Sequence, residues 1–380
     1  MQASSTPNSG TGQIRLALVL TLVILAPVYL SMAPSPELRV TNPMSADDDI
    51  ELKLYTLYIS SQNTSAGGDG YITTEVPDSG GQDSSSALDN EVEFRSSDML
   101  SSLIVYGRSQ HGSSGSYYLP LDLFLRATGP SGSTVEWSIT FKAGGSQVGT
   151  ASWDTDACTT SFTNSCSFDH EEFEIDLGDD QSFTVSKDER LEITVSAEMS
   201  GCDGGSFPGG SSCEAEVAWN EIDDENNRFS QLEVEANAIS NSLVVLQREG
   251  AELAEGPELD WYPNDILSER AMQFTFDVKS AFGRYDIEAT RLIMRDSDGI
   301  YRIDHIINED DEDIEDTSQG IFGEYIWTYP SGLPAGEYSV ELEITDIQGN
   351  AFLIEHDPVE MHQWGVSINH RLNKLTEYIA

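Results

Sequence analysis

From about residue 50 onward, hydrophobic residues fall at every second position. In Leu191-Glu-Ile-Thr-Val-Ser-Ala-Glu-Met199 the odd positions are apolar or small and the even ones polar, so a strand there turns one face to a core and the other to water. Val135, Trp137, Ile139 and Phe141 alternate in the same way with Glu136, Ser138, Thr140 and Lys142. Phe274, Phe276 and Val278 form a third such series, and Tyr338, Val340, Leu342 and Ile344 a fourth. The pattern predicts antiparallel strands with one wet face. No segment after residue 34 carries a helical stripe of useful length.

The chain is therefore expected to be all-β, with an N-terminal hydrophobic helix followed by two antiparallel β-sandwich domains. Composition places the boundaries. Residues 34–48, with Pro34, Pro36, Pro43 and the run Asp47-Asp-Asp49, read as a linker. Residues 49–238 form the first sandwich and 239–360 the second, with 361–380 as a C-terminal tail. Residues 60–90, rich in Gly, Ser, Asp and Asn, are expected to be long loops, and they hold the glycosylation sequon at Asn63.

The N-terminus departs from this pattern. After a polar leader to Gln13, the run from Leu16 to Leu30 is apolar, and Ser31-Met32-Ala33 follows. Two readings stand side by side: a signal peptide cleaved after Ala33, or an anchor from Ile14 to Ala33 that just reaches the ~20 residues needed to span a bilayer. In either case residues 34–380 face outward, and the membrane is met through the N-terminal segment alone.

Charge narrows the partners. Asp and Glu number 66 against 19 Lys and Arg, a net charge of −47. A surface of that sign repels phosphate backbones and anionic lipids, so nucleic acid is not an expected ligand. With 38% hydrophobic residues the chain can still pack a core, and many acids (Glu192, Glu198, Glu216, Glu233, Glu235, Glu341, Glu343) fall on the polar phase of strands, where they also discourage edge-to-edge pairing. Abundant carboxylate with five lysines resembles the composition of proteins from salt-rich or marine archaeal settings.

The four cysteines, Cys158, Cys166, Cys202 and Cys213, lie in one stretch. They allow three connectivities. Pairing within each Gly/Ser/Thr-rich loop is the simplest, each bridge contributing about 2.5–3 kcal/mol through loop closure. An exported chain without C-x-x-C knuckles favours disulfides over a zinc site.

One segment carries a family resemblance. Leu333-Pro-Ala-Gly-Glu-Tyr-Ser-Val-Glu-Leu-Glu-Ile-Thr-Asp-Ile-Gln-Gly-Asn350 resembles the closing hairpin of an immunoglobulin-like domain from prokaryotic, archaeal-type surface proteins. Pro334 and Gly336 shape the turn, Tyr338 anchors the core, and Asp346 to Asn350 make the next reversal. The resemblance implies an immunoglobulin-like second sandwich and a surface location. The first sandwich resembles a jelly-roll binding module.

Catalytic signatures are missing from the sequence. His170-Glu-Glu-Phe-Glu lacks the second histidine of HExxH, and no GxSxG elbow, P-loop or GxGxxG occurs. His356, His362 and His370 would align on one strand face, but Pro358 is expected to interrupt such a strand. Calcium is the better-founded ligand: Asp223, Asp224 and Asn226 at one acidic turn, and Asp296 and Asp298 at another, cluster hard oxygen donors. The alternative at the second turn is an Asp-Gly hairpin between Leu292–Met294 and Ile300–Ile303. The function expected is a non-enzymatic extracellular module, surface-anchored or secreted, that binds other surface proteins or glycans or acts as a spacer. The rival is a polysaccharide-active enzyme or its carbohydrate-binding accessory. In that rival Trp153, beside Asp154 and Asp156, would be the exposed stacking residue, and Trp137 and Trp219 would belong to the core.

Overall fold

In a computed structural model of the protein the described residues run from 52 to 361, apart from 62–66, 78–82, 89, 110–114, 160–165, 203–212, 224–227, 250–251, 254–259, 262–270, 308–313, 329 and 331. The apolar run Leu16–Leu30, the sequon at Asn63 and the tail beyond Met361 lie outside them. Among the described residues no helix is long and apolar enough to cross a membrane.

The period-two segments are strands. The first half contains β1 (Lys53–Ser60), β2 (Gly70–Thr73), β3 (Val92–Ser96), β4 (Tyr117–Thr128), β5 (Thr134–Ala143), β6 (Ser146–Asp156), β7 (Asp169–Gly178), β8 (Leu191–Ser200) and β9 (Gln231–Asn237). These nine pair in the order β9-β1-β2-β3-β8-β5-β6-β7-β4, and β4 returns to β9, so the ladder closes on itself. This corrects the expectation of a jelly-roll sandwich. The physical reason lies in β4, whose twelve residues are long enough to serve two partners along one edge. Glu214–Trp219 pairs with positions 124–128 and β9 with positions 121–122. Residues 60–90 are also not all loop, since β2 joins the ring and Asp83–Ser86 pairs with Glu214–Trp219.

Inward positions fill the ring. Leu119, Leu121 and Leu123 of β4, Trp137, Ile139 and Phe141 of β5 and Tyr55, Leu57 and Ile59 of β1 are almost wholly buried, each large side chain contributing about 1.5–3 kcal/mol by leaving water. Outward positions hold the acids, and the scarce arginines sit among them. Arg108 reaches Glu233 at 2.9 Å, Arg95 reaches Glu93 at 2.6 Å, and Arg126 bonds Glu216.

The second half follows without a break. Its strands are β10 (Ile239–Glu249), β11 (Ala271–Ser280), β12 (Ile287–Arg295), β13 (Tyr301–Ile306), β14 (Gly320–Thr328), β15 (Gly336–Asp346) and β16 (Ala351–Met361). One five-stranded sheet is built on β10-β11-β14 and another on β16-β15-β12-β13. Phe274 and Phe276 of the first sheet and Leu342 and Ile344 of the second are fully buried in one continuous core. Contrary to expectation, β16 runs straight through Pro358. The ladder shifts register between Tyr338 and Val340 opposite it, and such an irregularity is where a sheet tolerates a residue without an N–H.

Candidate functional site

Register brings three metal-ligating side chains together on the outer face of the ring. In the antiparallel β4–β7 pair Asp122 stands opposite Glu172 and Phe124 opposite His170, and β9 places Gln231 on the other side of Asp122. The ligand atoms of Asp122, His170 and Glu172 all lie within 4.8 Å of one another. His170 Nε2 is 3.4 Å from Asp122 Oδ1, and the Gln231 amide donates to Asp122 at 3.1 Å. The imidazole also rests against Phe124, ring centres 5.2 Å apart, which fixes its direction.

Directly opposed carboxylates repel. Burial pushes the Asp122 carboxyl up, the Gln231 amide and His170 pull it down, and Glu172 and Glu233 add to the rise. Two carboxylates and one imidazole offer a cation three ligands and leave further positions for water, a set that suits zinc and its neighbours better than calcium because of the imidazole nitrogen. The group stands on an open sheet face: Asp122 is half-buried, and His170 and Glu172 are exposed.

The sequence-named acids behave differently. Asp296 lies at the β12–β13 turn, where its Oδ1 accepts the N–H groups of Asp298 at 3.0 Å and Ile300 at 2.9 Å, and its Oδ2 accepts Arg302 Nε at 2.8 Å. Its oxygens therefore serve the hairpin turn and an ion pair, and Asp298 lends that turn its backbone N–H. Asp223 ends a short strand, Glu221–Asp223, while its side chain, Asp224 and Asn226 lie outside the described residues. His356 sits on β16, its Nδ1 2.7 Å from the Asp357 carbonyl; His362 and His370 are outside the described residues. The cysteines pair within their loops, Cys158 with Cys166 and Cys202 with Cys213. Trp137 and Trp219 are buried, whereas Trp153 is 48% exposed.

Asp122, His170 and Glu172 carry no motif in the sequence that marks them as a group, and His170 stands out there only in an incomplete HExxH. The available signal was the alternation itself, which puts His170 and Glu172 on one face of β7. Bringing Asp122 to them needed the β4–β7 register.

No family model matches the chain, and no curated protein matches it. Among solved structures, a calcium-binding mutant of Bacteroides uniformis beta-glucuronidase 2 aligns at 10% identity with a TM-score of 0.18, covering 70% of this chain and 32% of that one. The chain thus spans about a third of that protein's length, and a likeness this slight carries no argument about fold or activity.

Proposed function

We propose that the protein is a non-enzymatic module of the extracellular face, presenting a binding surface or holding a spacing between other components. The observation that carries this reading is the pair of closed disulfides, each stapling its own loop, because such bridges persist in oxidising compartments. A charge of −47 suits a surface that stays hydrated in salt. The second half is read as an immunoglobulin-like sandwich. In support, Tyr338 donates its hydroxyl to the Pro334 carbonyl at 2.8 Å, the backbone-directed bond of a tyrosine corner.

The glycan-binding variant of this reading draws on Trp153, whose exposed indole offers a stacking face beside Asp154 and Asp156. For a cation, calcium is kept for the acidic turn of Asp223, Asp224 and Asn226 alone, since Arg302 and the turn's N–H groups occupy Asp296, and Asp122, His170 and Glu172 would take a divalent ion with a preference for zinc.

The test uses native chain recovered from cells: fractionation with N-terminal sequencing, a glycan array, and a polysaccharide-turnover assay, with Trp153→Ala as control. Outward location and binding without turnover support the module. Turnover, or an intracellular bulk with free thiols, overturns it. Melting at fixed ionic strength with Ca²⁺, Zn²⁺ or chelator separates the cations, since a ligand bound to the native state at ~100 times its Kd adds about 2.7 kcal/mol.

A further inference from the structure

The ring half and the second half meet at a junction that buries two carboxylates. Gly283, at φ 116°, turns the chain out of β11 into a short 3₁₀ turn, Arg284–Asp286, and delivers Asp286 to the interior. Asp286 and Asp346 are both 0% exposed. Asp346 is fully supplied: its Oδ1 accepts the N–H groups of Gln348 at 2.9 Å and Asn350 at 2.8 Å, and its Oδ2 accepts the Asn350 amide at 2.9 Å. The turn it shapes docks on β1. Gln348 accepts the Thr56 N–H at 2.9 Å and donates to the carbonyls of Thr56 at 2.6 Å and Thr74 at 3.0 Å. Asn350 donates to the Leu54 carbonyl at 3.2 Å.

Asp286 is not so well supplied. Its Oδ2 accepts the Ser280 hydroxyl at 2.6 Å, while its buried Oδ1 has no hydrogen-bond partner. The titratable groups that face it are Asp346 from the end of β15, Tyr55 from β1 and Tyr285 from its own turn; none is a cation. A buried anion without a countercharge is costly, and a proton is the simplest remedy. A metal ion is a poorer one here, because N–H donors already occupy the oxygens of Asp346.

We propose that this junction is a proton-operated clasp: one proton taken from solvent onto Asp286 Oδ1 removes the repulsion from Asp346, and the two halves seat more tightly as the medium becomes acidic. Burial pushes the Asp286 carboxyl up to about 6 from its ordinary 3.8, the Ser280 and Thr74 hydroxyls pull it down, and Asp346 adds to the rise. The native protein thus holds a proton on Asp286 that the unfolded chain lacks between those two values, so the contribution of this group to stability falls as pH rises through that window and is level above it.

Thermal melts of the full chain at fixed ionic strength test this. Asp286→Asn, which mimics the protonated group, is expected to melt several degrees above wild type at pH 7.5, with the advantage shrinking toward pH 4.5. A lower melting temperature at pH 7.5, or an advantage indifferent to pH, overturns the clasp. Amide exchange on the wild type supplies a reading free of variants. After correction for intrinsic rates, the N–H groups of Thr56 and Gln348 are expected to open more often at pH 7.5 than at pH 5, and equal protection at both overturns the proposal.

Discussion

Asp296 and Asp286 both keep their side chains from water, one at the turn between β12 and β13, the other at the turn before β12. At Asp296 partial burial pushes the carboxyl up, but the Ile300 N–H, the Arg302 guanidinium and the Asp298 N–H outweigh it and hold the group below the ordinary carboxylate value. At Asp286 the supply is hydroxyls alone, Ser280 at 2.6 Å and a smaller pull from Thr74, and burial wins. Burial alone therefore does not set the charge of a carboxylate. What sets it is whether the local backbone and a neighbouring cation meet the charge, and with 19 basic residues for 66 acidic ones most positions go without a cation. The two aspartates also give opposite pH slopes. The stabilising share of Asp296 is present above its unfolded pKa and lost as pH falls through its lower native value, whereas that of Asp286 is present in acid and lost as pH rises through about 6.

The largest effect is expected where a satisfied carboxylate is removed. Asp346→Ala strands the N–H groups of Gln348 and Asn350 and unseats the turn on β1, at a cost of about 3 kcal/mol in denaturant unfolding. Next comes Arg302→Met, which leaves Asp296 without its guanidinium. The melting temperature should drop clearly at pH 7.5 and less in acid below the lowered native value of Asp296, where the protonated group no longer needs the partner; an equal drop at both would locate the loss in packing. Gln348→Ala breaks three bonds to β1 and β2's following turn and is expected to cost about 1–2 kcal/mol, measured by urea midpoint. The smallest change belongs to the outer face. Arg108→Ala, paired with Glu233 at partial exposure, should cost about 0.5 kcal/mol, and that cost should vanish in high salt.

Much of this was legible in advance because strand periodicity is a local property. The alternation at 135–141, 191–199, 274–278 and 338–344 became β5, β8, β11 and β15, with their apolar phases buried. The pairing of cysteines across short loops and the buried Trp137 and Trp219 beside an exposed Trp153 were equally local. What escaped depended on register and closure. Lys53 pairs with Ala236 and Gln231 with Asp122, contacts between distant segments that no periodicity encodes, and they turn two expected sheets into a ring. The Asp122–His170–Glu172 group needs the same information. Asp296 read as a calcium ligand because its Asp-Ser-Asp-Gly turn has the right donors; the claim of Arg302 on it follows from a hairpin register. Asp286 gave no signal, since a single acid in a short turn looks solvated until the second half docks on β1.

The contrast between the two aspartates is tested most directly by a carboxyl-carbon NMR titration of the intact protein labelled at aspartate, with Asp286→Asn and Asp296→Asn used for assignment. Asp286 is expected to titrate near pH 6 and Asp296 below the ordinary 3.8. Both carbons titrating together near the ordinary value would contradict it.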